Sequence, residues 1–260
     1  MPVIGLREDA HLQPIVHTMR DVEDDFMNYT DAQRIERIWA AVSMQLTAIG
    51  VPLPGLQVGV YPGLNGQFAF ASWTLKVNAE LANIKLMERA NANRKKEIFA
   101  QLGDTICHEA RHCEQWWRMA LLVITKKWMR DQIKPTANQM EGLGISAPII
   151  QRALTAPPLS PMAMEETEAW YQSVYGKGES FREINVVGRN LRPSAPTKIG
   201  NVTQNIGALF RDTEFTRYEQ GLAEEADAHA TGRRVQSLYL QGTAVAVQPL
   251  VGHRRPSGTY

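Results

Sequence analysis

Apolar residues recur at helical spacing at Ile35, Ile38, Trp39, Val42, Leu46 and Ile49. Thr30 and Gln33 stand in capping-box register ahead of that run, and Gly50 and Pro52 follow it, so the pattern predicts an amphipathic helix. The period then drops to two. Leu56, Val58 and Val60 alternate with Gln57 and Gly59, Pro62-Gly63-Leu64-Asn65-Gly66 is turn chemistry, and Phe68, Phe70, Trp73, Leu75 and Val77 form a second run. This predicts a β-hairpin, with a bulge or bend between Phe70 and Trp73 where the alternation changes phase. Helical spacing returns from Arg94. Ile98, Phe99, Leu102, Ile106, Trp116, Met119, Ala120 and Val123 fit one or two long helices running to about Trp128. Ser160 and Pro161 are an N-cap and first-turn pair for a helix ending at Gly176, and a last helix is expected over about 222–240. Residues 193–213 are loop-rich.

These elements predict one α+β domain over residues 29–242, with a small antiparallel sheet and a mostly helical remainder. Residues 1–28 look polar and aperiodic and are expected to form an N-terminal arm. Residues 243–260 carry no packing pattern and are expected to form a mobile tail.

Charge changes the picture by exclusion. Twenty-eight basic and 27 acidic side chains leave a net charge of +1, so no single-sign field grips a polyanion and nucleic acid is not the expected partner. The longest apolar run, Met119–Ile124, is far below the roughly 20 residues of a membrane helix. The first residues lack a basic stretch followed by an apolar one, so no secretory signal is visible. The expectation is a protein cytoplasmic in its producing cell, whose export, if any, does not use a conventional signal peptide. Cys107 and Cys113, placed on one helix, point in different directions and are read as small buried hydrophobes.

Residues 108–112 read His-Glu-Ala-Arg-His. Positions i and i+4 share a helix face, so His108 and His112 can direct nitrogens at one ion, as zinc requires at about 2.0–2.1 Å. Glu109 is then left to reach a water on the metal, whose pKa zinc lowers to about 7, and to act as general base before passing the proton to the leaving amine. An extended peptide could add to the edge strand expected beside this helix. A third protein ligand is needed. Gln115 and Arg118 occupy the positions where a metzincin carries Gly and His, which excludes that pattern. Two acidic segments remain, Glu165-Glu166-Thr167-Glu168-Ala169 and Glu224-Glu225-Ala226-Asp227-Ala228-His229. Glu225 is preferred and Glu166 is the alternative, because Asp227 can orient a ligand histidine from behind and His229 shares the face of Glu225. His229 and Tyr218 are the candidates to hold an oxyanion. At least one of the two acidic clusters is an ordinary solvated helix face. Trp116, Trp117 and Trp128 are read as core, and Lys126, Lys127 and Arg130 as solvated.

The stretch Cys-His-Glu-Ala-Arg-His-Cys-Glu-Gln-Trp-Trp-Arg-Met-Ala over 107–120, with Tyr218 and Leu222-Ala-Glu-Glu-Ala-Asp-Ala downstream, resembles a family of bacterial zinc metallopeptidase toxin domains. These are gluzincins, carried by contractile injection systems including type VI secretion and often fused to spike proteins. The resemblance spans roughly residues 56–240, with Ala223 where the family often has Pro. It implies a zincin-like fold, a Zn2+ cofactor, and hydrolysis of peptide bonds in proteins of a target cell. It also implies a secretion-spike partner and, where the target is bacterial, a cognate immunity protein. Two other functions fit the residues: a peptidoglycan cross-link hydrolase using the same zinc site, and a non-catalytic binding protein on a zincin fold.

Overall fold

A computed structural model describes residues 5–83, 91–176, 197–199, 202–204 and 222–242 of the chain. Its first element corrects the expectation of an N-terminal arm. Helix α1 (Asp9–Asp24) buries Leu12, Ile15, Val16, Met19 and Val22 along one stripe. Pro14 lies inside this helix, and charged residues separate the apolar ones, which hides the period in the sequence. Helix α2 (Asp31–Ala48) begins with both bonds of the capping box: the Gln33 amide donates to Thr30 Oγ1 at 3.2 Å, and the Thr30 amide to Gln33 Oε1 at 2.8 Å.

Strands β1 (Gly55–Gly59), β2 (Gly66–Ala69) and β3 (Thr74–Asn78) form one mixed sheet in the order β1–β3–β2. The expected antiparallel hairpin across Pro62–Gly66 is therefore corrected. β1 pairs with β3 in parallel, Leu56 opposite Leu75 and Val58 opposite Val77. Parallel neighbours cannot be joined by a tight turn, and the connection between them contains β2. The true hairpin joins β2 to β3, with Phe68 opposite Leu75. It turns at the point where the alternation changes phase, with Trp73 in the left-handed region at φ 51°. Asn78 secures the earlier loop by donating its side-chain amide to the carbonyls of Tyr61 and Leu64.

The predicted long helices are one helix, α3 (Ala92–Asp131), started by the Asn91 side chain accepting the Arg94 amide and ended by left-handed Gln132. Helices α4 (Ala147–Thr155), α5 (Pro161–Tyr175) and α6 (Ala223–Gly242) pack around it. Cys107 and Cys113 are buried free thiols within α3. Trp116 and Trp117 are core, whereas Trp128, expected there too, is 40% exposed. A short ribbon, β4 (Thr197–Ile199) with β5 (Val202–Gln204), is all that is described of the stretch expected to be loop-rich. Tail residues 243–260 lie outside the described residues.

Helix α6 runs antiparallel to α3, and Gly232 sets their spacing, while Gly103 admits Met19 of α1. A Cβ on Gly232 would fall 1.8 Å from Asp104 Oδ1 and 2.8 Å from the Asp104 carbonyl, and one on Gly103 would strike Met19 and approach Val235. Backbone therefore meets backbone one turn before His108. The described residues are mostly helical with a small three-stranded mixed sheet and a two-stranded ribbon, an α+β architecture, and none of their helices is long and apolar enough to cross a membrane.

Candidate metal centre

The close approach of α6 brings Glu225 onto the His108–His112 face of α3. His108 Nε2 and His112 Nε2 lie 3.1 Å apart, and Glu225 Oε2 lies 3.6 Å from the first and 3.3 Å from the second. A tetrahedral ion with bonds of about 2.1 Å holds its ligands about 3.4 Å apart. The three atoms thus fit three corners of one zinc tetrahedron, and the donor set of two imidazoles and one carboxylate suits that ion. Glu166, the alternative third ligand, is engaged elsewhere: its carboxylate pairs with Arg7 and with Arg118, each at 2.8 Å, and is 3.8 Å from Arg111. Tyr218 lies outside the described residues. His229 does reach the centre, its ring centroid 4.3 Å from that of His108.

Glu109 turns to the sheet side. Its Oε2 accepts the outward amide of Phe68 on edge strand β2 at 2.7 Å, so the edge expected to receive a peptide already has one donor in use. Gly66 on the same strand leaves room for the Glu109 side chain: a Cβ there would sit 2.9 Å from Glu109 Cγ. Phe68, Trp73 and Trp116 form an edge-to-face aromatic floor beneath the site, and His112 stands edge-on to Trp116.

Among the described residues Asp227 makes no hydrogen bond to a histidine, contrary to expectation. The group behind His112 is Gln115, one turn further along α3. Its side-chain amide donates to Asp227 Oδ2 at 2.8 Å and to the Glu224 carbonyl at 2.9 Å. Both partners are acceptors, so the Gln115 oxygen must face the ring, 2.8 Å from His112 Nδ1. Nδ1 therefore carries the proton and Nε2 presents its lone pair to an ion. The sequence signal for this relay was the i, i+3 spacing of His112 and Gln115. Replacing Gln115 by Leu is expected to lower zinc affinity 10- to 100-fold, within the range typical of such supporting groups, in a competition titration against a chromophoric chelator.

Asp227 belongs to a lattice of three arginines and three acids, buried at Arg111 and Glu114 and exposed at Arg7. Arg111, fully buried, binds Asp227 through Nε at 2.7 Å and Glu114 through Nη1. Arg118 bridges Glu114 and Glu166, Arg7 bridges Glu166 and Asp227, and the Leu6 amide donates to Glu114. Trp170 lies under the Arg111 guanidinium at 4.9 Å. Burial opposes ionisation of Asp227, yet Arg111, with Gln115 and Arg7, holds its carboxyl below the usual range.

The two rings differ in their hold on a proton. Burial disfavours charge on both histidines. His108, also repelled by His112, falls to about 3, whereas the Glu225 carboxylate beside His112 overrides burial and raises that ring to about 9. Because the folded value of His112 exceeds its ordinary one, this ion pair stabilises the metal-free fold below about pH 6.5 for as long as Glu225 stays ionised, and the contribution is lost as pH rises through 9. A metal ion bound by the two rings would have to displace that proton. Calorimetry in buffers of different ionisation heat is expected to show the number of protons released per zinc falling by about one as pH rises through 9, as the His112 proton is already lost in the free protein.

No known protein family, curated protein or solved structure matches the chain.

Proposed function

We propose that this chain is a zinc-dependent metallopeptidase of zincin-like design, with His108, His112 and Glu225 as ligands and Glu109 as general base. The observation that carries the reading is the near-equilateral triangle of ligand atoms, 3.1, 3.3 and 3.6 Å on its sides, with the Glu109 carboxylate next to it. Zinc at that triangle supplies a Lewis acid for a carbonyl and lowers the pKa of a bound water to about 7. Gln115 holds the tautomer of His112 that ligation needs. Glu109, anchored by the Phe68 amide, is placed to take a proton from water on the sheet side and to return it to the departing amine. In the metal-free protein burial raises its carboxyl to about 7, against the opposing pull of His112 and of the Phe68 amide.

The favoured substrate is protein or peptide. The resemblance of residues 107–120 to injected toxin metallopeptidases supports a target-cell substrate, a secretion-spike partner and an immunity protein. Elemental analysis tests the metal first: one zinc per chain is expected. The zinc-loaded protein, incubated with folded and denatured proteins and with purified cell wall, is expected to release peptides from the proteins. Release of wall fragments alone would assign it to peptidoglycan cross-links instead. Zinc with neither product would make it a binding protein on the same scaffold.

A further inference from the structure

We propose that His229 is a fourth protein ligand of this metal centre, so that the resting ion sits between two i, i+4 pairs on facing helices. The inference rests on the zinc reading above. Helix α3 offers His108 and His112 on one face, and α6 offers Glu225 and His229 on another. The helices are antiparallel, and at Asp104 and Gly232 they leave no space for a single Cβ. One turn further along, the two ligand-bearing faces meet. Facing side chains of packed helices are how helical bundles build metal sites.

The distances suit a fourth corner. A ligating atom of His229 lies within 4.8 Å of those of His108 and Glu225. Tetrahedral corners are about 3.4 Å apart, so it has at most about 1.4 Å to close towards His108 and Glu225, and it must swing towards His112 as well, by pivoting about its Cα–Cβ and Cβ–Cγ bonds. The ring already lies 4.3 Å from that of His108, centroid to centroid, tilted at 56°. With four protein ligands, the water that Glu109 would deprotonate would have to enter as a fifth ligand, a coordination number zinc reaches during reaction. The all-nitrogen-and-oxygen set would accept cobalt(II) as a spectroscopic substitute.

X-ray absorption of the zinc-loaded full chain counts the imidazoles directly. Three are expected in the natural protein and two in His229→Ala. Zinc affinity of that variant, from chelator competition, is expected to fall at least tenfold while the metal-free circular dichroism spectrum is unchanged. The cobalt(II) bands of the two proteins should differ in position and intensity. Two imidazoles in the natural protein would overturn the proposal, and that measurement stands even if the variant fails to fold. Unchanged affinity with slower turnover would overturn it too, leaving His229 as an oxyanion donor. A natural protein that binds no zinc would overturn the metallopeptidase reading and this proposal together, whereas zinc bound by two imidazoles leaves the former intact.

Discussion

Glu109→Gln is expected to reduce turnover by about 10²–10⁴-fold, the usual contribution of a positioned general base, while one zinc per chain is retained. Two roles, ligand and base, lie side by side at this position. Glu109 lies close enough to His108 and His112 to join them as a ligand, and His108, Glu109 and His112 together form one of the possible metal-holding groups among the described residues. The closer tetrahedral triangle, however, is completed by Glu225 from α6. Glu109 instead uses an oxygen on the Phe68 amide, 2.7 Å away. Glutamine preserves the length of the side chain and an acceptor for that amide, so the substitution removes only the basic carboxylate. Measuring zinc content and kcat on the same preparation decides the matter. Loss of zinc would make Glu109 a ligand, and full activity with zinc in place would move the base to another residue.

The sequence spoke clearly where the chemistry is local. Thr30 and Gln33 announce the start of α2 because both partners of the cap lie within one turn. His108 and His112 announce a shared face because four residues along a helix bring side chains together whatever surrounds them. The choice between Glu225 and Glu166 is not local. Both stand on acid-rich helices with nearby alanines, and what separates them is distant: Arg7 and Arg118 occupy Glu166, while Gly232 lets α6 descend onto α3. Strand partnership failed for a related reason. Leu56, Val58, Leu75 and Val77 alternate identically whether β1 meets β3 head to head or side by side, and only the three-stranded packing selects the parallel register. Helix α1 was obscured by Pro14 and by charged residues that point outward between its buried positions. The lattice behind the site was beyond reach of spacing arguments, since its charges come from residues 7, 111, 114, 118, 166 and 227.

Arg111→Met is expected to destabilise the metal-free protein by about 3–5 kcal/mol, the cost typical of removing one member of a buried ion pair. Arg111 and Glu114 are both fully buried, and the guanidinium also binds Asp227. Without it, Glu114 keeps only Arg118 and the Leu6 amide in a space closed to water, and Asp227 keeps Arg7 and Gln115. Methionine replaces much of the lost apolar bulk over Trp170, so the penalty reports the stranded charge more than a cavity. The comparison that isolates burial is Arg234→Met, which breaks an ion pair with Asp9 whose side chains are 43% and 50% exposed. An exposed pair is worth at most about 1 kcal/mol. Urea unfolding of both variants should therefore show a large fall in midpoint for Arg111→Met and a small one for Arg234→Met. Equal shifts would mean that the lattice is screened like a surface pair. Because Asp227 steadies Gln115, and Gln115 the ring of His112, Arg111→Met should also weaken zinc binding in whatever fraction remains folded, whereas Arg234→Met should leave zinc affinity unchanged.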